Sequence, residues 1–453
     1  MSKLTVMQKT RSSFRVQKSA LVAAGLGCLA LSFASSNAVA VADEGQDEPE
    51  QSYCLHFGTN AISEGQQKAF GADAEQTTEP EDSDSDAPVL QDTPADSLRV
   101  ATYDANLSRD SAGDLFEELS SPGAEDATEV ARVIQTVRPD VLVLTGIDVD
   151  AGDHVAEAFN ANYLAVGGEE HTGLTYPYSY TAQSNAGVES GADLNRNGTI
   201  GDPGDALGFG DFPGQSSMIV YSKYPLADDK IRDFTALPWK SMPDNNIPED
   251  VTDLERDILP LASVSHWDIP VEVDGEVLHV LATSAADASK SPHGQARNQD
   301  QIRFWEDYLD PETEYIRDQR GKQAPLPEDA SFVLAGSLKA DPTGKGPADP
   351  SAITSLLQSD DIVDPEPART ITASALGRGV FPDSPEAQHH TAPTPTDDHE
   401  TYRADYVLLS SDLEVTDSGV LETGPGAAYR GFFGLQPEQH GNHIVWADIA
   451  VGG

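Results

Sequence analysis

Four consecutive apolar residues, Phe332-Val333-Leu334-Ala335, run directly into Gly336 and the loop Ser337-Leu338-Lys339-Ala340-Asp341-Pro342. An apolar run with aromatic and β-branched members, stopped by glycine, reads as a buried strand that delivers its end to a loop. Val141-Leu142-Val143-Leu144 reads the same way. Before it, the spacing of Ala127, Val130, Ala131 and Ile134 predicts a helix over 124–137, closed by Pro139. Further strands are expected over 98–103, 218–222, 261–269, 277–282, 406–408 and 443–449, and helices over 297–308 and 351–357. Strands interspersed with helices, some joined as hairpins, predict an α/β fold on two sheets. No internal repeat is visible.

The N-terminus has the order of an export signal. Lys3, Lys9, Arg11, Arg15 and Lys18 precede an apolar stretch over 20–34, and Ala38-Val39-Ala40 supplies small residues for cleavage. A membrane-spanning helix needs roughly 20 apolar residues, and this stretch is shorter, so residues 1–40 are expected to be a signal peptide. Cys28 lies inside the apolar core with Gly25 where a lipid-attachment site usually has Leu, which does not fit such a site. No later run is long enough to span a bilayer, so a secreted, extracellular protein is expected. Cleavage would leave Cys54 as the only cysteine, and no intrachain disulfide is expected.

Residues 43–97 are rich in Glu, Asp, Gln, Ser and Pro, with the run Glu79-Pro80-Glu81-Asp82-Ser83-Asp84-Ser85-Asp86. Such a segment cannot bury enough apolar surface to offset ordering entropy, and it is expected to be a disordered acidic linker. The folded module is then expected over 98–451. The whole chain carries 28 basic and 76 acidic residues, a formal charge of −48. A surface this acidic repels polyanions and forms no basic stripe, which argues against nucleic acid as a partner.

Six segments in order carry a resemblance. They are Arg99-Val100-Ala101-Thr102-Tyr103, Arg138-Pro139-Asp140-Val141-Leu142-Val143-Leu144, Gly208-Phe209-Gly210-Asp211-Phe212-Pro213-Gly214-Gln215, Ser265-His266-Trp267-Asp268-Ile269-Pro270-Val271, Arg297-Asn298-Gln299-Asp300-Gln301-Ile302-Arg303-Phe304-Trp305 and Arg403-Ala404-Asp405-Tyr406-Val407-Leu408. Together they resemble the secreted bacterial branch of the endonuclease/exonuclease/phosphatase superfamily. The resemblance implies a four-layer α/β sandwich, two packed mixed β-sheets flanked by helices, with the site at the loop ends of the sheets. It also implies divalent-metal hydrolysis of phosphate esters, with a Glu on the metal and His, Asp and Asn residues around water and phosphate.

The same resemblance implies that this site is degenerate. The first-strand Asn position holds Asp104, and the metal-holding Glu position holds Gly146. A His position holds Ser284, and the Asp and Asn of the central strand motif are Ser337 and Lys339. The terminal Ser-Asp-His falls at His440-Gly441-Asn442, and only Asp405 keeps the family identity. A Lewis-acid metal supplies several kcal/mol of transition-state stabilisation, and each acid–base group roughly 10²–10⁴ in rate. A chain without them is expected to be a pseudoenzyme, a binding or structural module with Lys339 facing an anionic or phosphate-bearing ligand. Catalytic Mg²⁺ or Mn²⁺ is not expected. The alternative is an extracellular phosphomonoesterase or phosphodiesterase that uses displaced ligands.

Two other constellations stay open. Asp193, Asn195, Asn197 and Thr199, around Gly198, match the start of a calcium loop, though Gly204 stands where a bidentate Glu is usual. Asp202 and Asp205 are the available substitutes, and the choice is between a structural Ca²⁺ site and a plain Asn/Gly turn. His389, His390, Asp397, Asp398 and His399 are candidates for a relocated metal cluster or for a solvated loop between prolines. Ser284 and Ser337 lack a Gly-x-Ser-x-Gly elbow, which argues against serine-nucleophile chemistry. His266 and Trp267 read as packing residues.

Overall fold

Along the first strand, β1 (Ser97–Leu107), the side chains alternate between two buried environments. Leu98 and Val100 join one apolar cluster while Ala101, Tyr103 and Ala105 join another. A strand covered on both faces needs a layer on each side. The computed structural model describes residues 93, 96–168, 172–291, 293–323, 325–368, 386–395, 397–421 and 442–451, all within one compact unit spanning 82–453. The expected signal peptide, most of the expected linker, Cys54, His440 and Gly441 lie outside the described residues.

After β1 come α1 (Asp114–Leu119), α2 (Glu125–Val137), β2 (Val141–Ile147), α3 (His154–Phe159), β3 (Tyr178–Tyr180) and β4 (Ser217–Ser222). The middle of the chain holds β5 (Arg232–Asp233), α4 (Asp253–Ile258), β6 (His266–Val273), β7 (Glu276–Ser284), α5 (Gly294–Leu309) and β8 (Phe332–Ser337). It closes with α6 (Ser351–Leu357), β9 (Ile362–Val363), β10 (Ala392–Thr394), β11 (Asp397–Tyr402), β12 (Asp405–Ser410), β13 (Val415–Leu421) and β14 (Ile444–Ala450).

Two six-stranded sheets result, ordered β13-β14-β1-β2-β4-β3 and β5-β6-β7-β8-β12-β9, with β10-β11 as a separate ribbon. Each large sheet has a parallel pair at its centre, β1 with β2 and β7 with β8, while their other pairings are antiparallel. In both cases a helix makes the crossover that a parallel pair requires, α2 in the first and α5 in the second. Helix α2 supplies Val130, Ile134 and Val137 to the outer face of the first sheet, and α5 and α6 supply Phe304, Trp305, Ile353 and Leu356 to that of the second. Between the sheets, Val143, Val220, Trp267, Val280, Val333, Val407 and Val445 form the shared core. The architecture is a four-layer α/β sandwich of two mixed sheets.

One expected element moves. The strand expected over 261–269 is β6, which begins only at His266. Arg297 on α5 explains the delay: its guanidinium takes the carbonyls of Pro260, Leu261 and Ala262 at 2.7–3.0 Å. Asn185 Nδ2 also donates to the Ala262 carbonyl (2.8 Å). Carbonyls engaged by side chains are withdrawn from a strand ladder. Helix α2 stops where Arg138 turns left-handed (φ 55°) before Pro139. Arg99 then ties helix to sheet, with a bidentate pair to Asp448 (2.7 Å each) and a bond to the Val137 carbonyl (2.7 Å).

Candidate functional site

The inter-sheet face changes character at one end of the sandwich. On β8, Val333 and Ala335 enter the shared core, so period-two alternation turns Ser337 to the same face. The same parity puts Asp405 beyond Val407 on β12, Ser284 beyond Ala282 on β7, and Thr145 beyond Val143 on β2. On β1, Val100 is followed on that face by Thr102 and Asp104. Register brings these together: Ser337 lies opposite Ser284 on one side and Asp405 on the other, and Asp104 lies opposite Thr145. Four of the six described positions that the sequence singled out (Asp104, Ser284, Ser337 and Asp405) thus form one polar layer over an apolar core.

Gly146 completes the first-sheet side of this layer. It adopts φ +67°, and a Cβ built on it would lie 2.0 Å from Asp104 Oδ1. The carboxylate from β1 therefore fills the space beside β2 where a side chain would start. Asn106 N–H donates to the same Oδ1 at 3.3 Å, and Asn442 Nδ2 donates to the Asp104 carbonyl at 3.2 Å.

Asp405 is almost fully buried. Thr391 Oγ1 donates to its Oδ2 (2.7 Å), and the same hydroxyl oxygen accepts the N–H groups of Ala404 and Asp405 (3.0 Å each). Oδ1 has no hydrogen-bond partner among the described residues. Burial, with the charge of Asp104 added, pushes the Asp405 carboxyl up to about 7. The hydroxyls of Thr391 and Ser337 and the ammonium of Lys339 pull the other way.

The loop after β8 is held by backbone and by Asp341. The N–H groups of Leu338 and Lys339 both donate to the Ala404 carbonyl, at 2.8 and 2.9 Å, and Lys339 takes the left-handed φ of 53°. Asp341 accepts the Thr343 N–H (2.7 Å) and hydroxyl (2.5 Å) on one oxygen and the Arg403 N–H (2.8 Å) on the other. Arg403 forms a bidentate pair with Asp364 (2.7 and 2.8 Å) and lies 4.2 Å over the Tyr406 ring. The Asp-Pro loop and the Arg-Ala-Asp-Tyr strand are thereby locked together.

Above the layer lies a cleft of about 260 Å³, lined by Asn106 and Ser108 after β1, by the 206–216 loop, by the 285–293 loop and by Lys339. The 206–216 wall is backbone-tight: a Cβ on Gly208 would meet the Ser263 carbonyl oxygen at 1.7 Å. Lys290 sits 5.6 Å over the half-exposed Phe209 ring. The ammonium groups of Lys290 and Lys339 have no ion-pair partner among the described residues. Arg297 also lines the cleft, but a fourth bond to the Leu207 carbonyl (2.6 Å) completes its engagement with backbone.

Several site residues were not singled out from sequence. Asp148 accepts the Ser108 hydroxyl and the N–H groups of Arg109 and Ser216, all at 2.8 Å, and so ties three cleft segments together. Its place two residues beyond Gly146 was the available signal. Thr391 and Lys290 offered none, because their loops come to the site only through the fold.

The other candidates lie apart from this layer. In the 193–205 loop, Asp193 accepts the N–H groups of Asn197 (3.0 Å) and Gly198 (2.9 Å), and Asp205 accepts those of Leu194 (2.8 Å) and Gly201 (3.0 Å). Asp202 accepts the side-chain amides of Asn195 and Asn197, and Thr199 donates to Asn197 Oδ1 (2.6 Å). His389 Nδ1 bonds the Pro367 carbonyl (2.9 Å) and His390 Nδ1 the Thr401 hydroxyl (2.9 Å). The side chains of Asp397, Asp398 and His399 lie outside the described residues. Among the described residues no group of three His, Cys, Asp or Glu is placed to hold a metal ion. His266 is buried, stacked on Phe304 (centroids 4.9 Å apart), and burial pushes its imidazole down to about 3, so it stays neutral.

Residues 105–432 match the model of the Endonuclease/Exonuclease/phosphatase family. The chain belongs to that family. Solved structures with a similar fold include an endonuclease/exonuclease/phosphatase from Beutenbergia cavernae DSM 12333, 19% identical, covering 79% of this chain and 72% of that one with a TM-score of 0.43. Sphingomyelinase C from Streptomyces griseocarneus is 17% identical over 79% of this chain and 99% of its own, with a TM-score of 0.40. A family protein from Leptotrichia buccalis C-1013-b is 12% identical over 78% and 99%, with a TM-score of 0.39. No curated protein matches the chain.

Proposed function

We propose that this chain is an exported, non-catalytic member of its family that captures a small anionic ligand in the cleft above Asp104, Ser337 and Asp405, with Lys339 as the cation. The observation that carries the reading is the pairing of Gly146 with Asp104. The position that the family uses for a metal-holding glutamate has no side chain, and the Asp104 carboxylate lies 2.0 Å from where its Cβ would stand. Lys339 then puts an ammonium, unpaired among the described residues, on the cleft floor. These residues do not fit a divalent cation, because a fixed positive charge stands in the cleft and only oxygens of Asp104 and Asp405 remain as anionic donors. No hydrolytic step is derived through a metal.

A second reading, a phosphomonoesterase or phosphodiesterase with displaced ligands, has those two carboxylates on its side. In either reading the 193–205 loop is structural. Calcium there would have to displace the donors already on Asp193, Asp202 and Asp205. The test is hydrolysis of a panel of phosphate mono- and diesters by the purified protein with Mg²⁺, Mn²⁺ or Ca²⁺, beside an Asp405→Ala control. No turnover above the control supports the binding reading. Metal-dependent turnover that disappears in the control overturns it in favour of the second.

A further inference from the structure

The anion reading above is the basis for a more specific one. Asp405 is a buried acid with one unpartnered oxygen, Asp104 is a second carboxylate close enough to raise it, and Lys339 is the cation on the cleft floor. With both acids ionised the three groups sum to one negative charge, and an approaching anion is repelled. With one proton on the acid pair they sum to zero, and Lys339 is free to attract. We infer that the cleft takes up its anion together with one proton, which the Asp104–Asp405 pair holds.

The direction follows from linkage. A ligand that favours the protonated form raises proton affinity, and the proton raises ligand affinity by the same factor. Below the point where the pair takes its proton, affinity is flat. Above it, affinity falls by about tenfold for each pH unit in the one-proton limit. Burial and the Asp104 charge place that point near neutrality, at about 7 for Asp405.

Other ionisable groups face the same space and have to be separated from the pair. Asp341 lies in the loop after β8, Tyr402 at the end of β11 and Arg403 before β12, with Arg403 already paired to Asp364. His390 precedes Thr391, and His443, at the entry to β14, donates its N–H to the Thr391 carbonyl (2.8 Å). The 285–293 wall adds Asp287, Lys290 and His293, and burial lowers the His293 imidazole below its ordinary value. Tyr402 is held neutral by burial and by the charges of Asp405, Asp287, Asp104 and Asp341, which leaves the histidines as the competing titrants near pH 7.

The experiment is a calorimetric titration of sulfate into the purified full chain in EDTA from pH 6 to pH 9, in two buffers of different ionisation heat at each pH. Sulfate does not titrate in this range, so proton uptake reports the protein. Uptake rising from near zero at pH 6 towards one proton per sulfate at pH 9 is expected. Asp405→Asn should bind with a pH-independent affinity equal to the low-pH limit of the wild type, Asp104→Asn should move the midpoint to lower pH, and His390→Gln should keep the wild-type profile. Sulfate binding that is lost in Lys339→Met but shows no proton uptake overturns the coupling and leaves the anion reading intact. A profile that His390→Gln flattens also overturns it, by moving the proton to a histidine. No sulfate binding at any pH overturns the anion reading itself, and the coupling with it.

Discussion

Asp104 Oδ1 lies 2.0 Å from the point where a Cβ on Gly146 would stand, so one β1 side chain and one β2 backbone position occupy a single space. The two residues are coupled by sterics alone. Neither can be changed towards a larger group without the other giving way.

Gly146→Ala is therefore expected to destabilise the protein by about 1–3 kcal/mol, from the left-handed φ and from displacement of the carboxylate. Asp104→Ala should recover the steric part. A double-mutant cycle in urea unfolding checks this, and a coupling energy of at least about 0.5 kcal/mol is expected.

Asp405 sets a pH dependence whose sign is fixed. Its folded value of about 7 lies above the ordinary carboxyl range, so the folded state holds the proton more tightly than the unfolded chain. The stability from this group is complete below about pH 4 and is lost as pH rises through 7. Asp405→Asn should gain on the wild type by up to about 4 kcal/mol between pH 5 and pH 9, at 1.36 kcal/mol per pH unit. Thermal or chemical denaturation of both proteins across that range reads the difference.

Arg297 should not tolerate Lys. Its guanidinium donates to the carbonyls of Leu207, Pro260, Leu261 and Ala262, and one ammonium cannot reproduce that fork. Arg297→Lys is expected to cost about 2–4 kcal/mol through carbonyls left unsatisfied and to loosen the 206–216 cleft wall. Hydrogen exchange at residues 206–216 should rise with the loss of stability.

Asp364→Asn tests the brace behind Asp405. Arg403 is buried and holds both Asp364 oxygens at 2.7 and 2.8 Å. Removing one charge of such a pair costs about 3–5 kcal/mol. The variant should unfold earlier in denaturant while the spectrum of the folded state is retained.

How far sequence reading reached depends on whether the deciding interaction is periodic. Apolar runs such as Val141–Leu144 and Phe332–Ala335 place central strands, because burial on both faces leaves a continuous signature in the chain. The layer of Ser284, Ser337 and Asp405 could be assembled through family resemblance, since each residue ends a recognisable strand. The onset of β6 at His266 was not legible: Arg297, more than thirty positions away, takes the carbonyls that would have started the ladder earlier. Short edge strands such as β5 and β9 carry too few residues for alternation to be read. Thr391 reaches Asp405 only because the β10–β11 ribbon folds back on the sheet end, and nothing local announces that.

The central claim is that this cleft works without a divalent metal. Mn²⁺ binding to the purified full chain, followed by electron paramagnetic resonance beside Asp104→Asn and Asp405→Ala, tests it most directly. The account predicts that any Mn²⁺ taken up, including any at the 193–205 loop, binds with the same affinity in all three proteins. Tight Mn²⁺ binding that is lost in Asp405→Ala or Asp104→Asn would contradict it and make the cleft a rebuilt metal site.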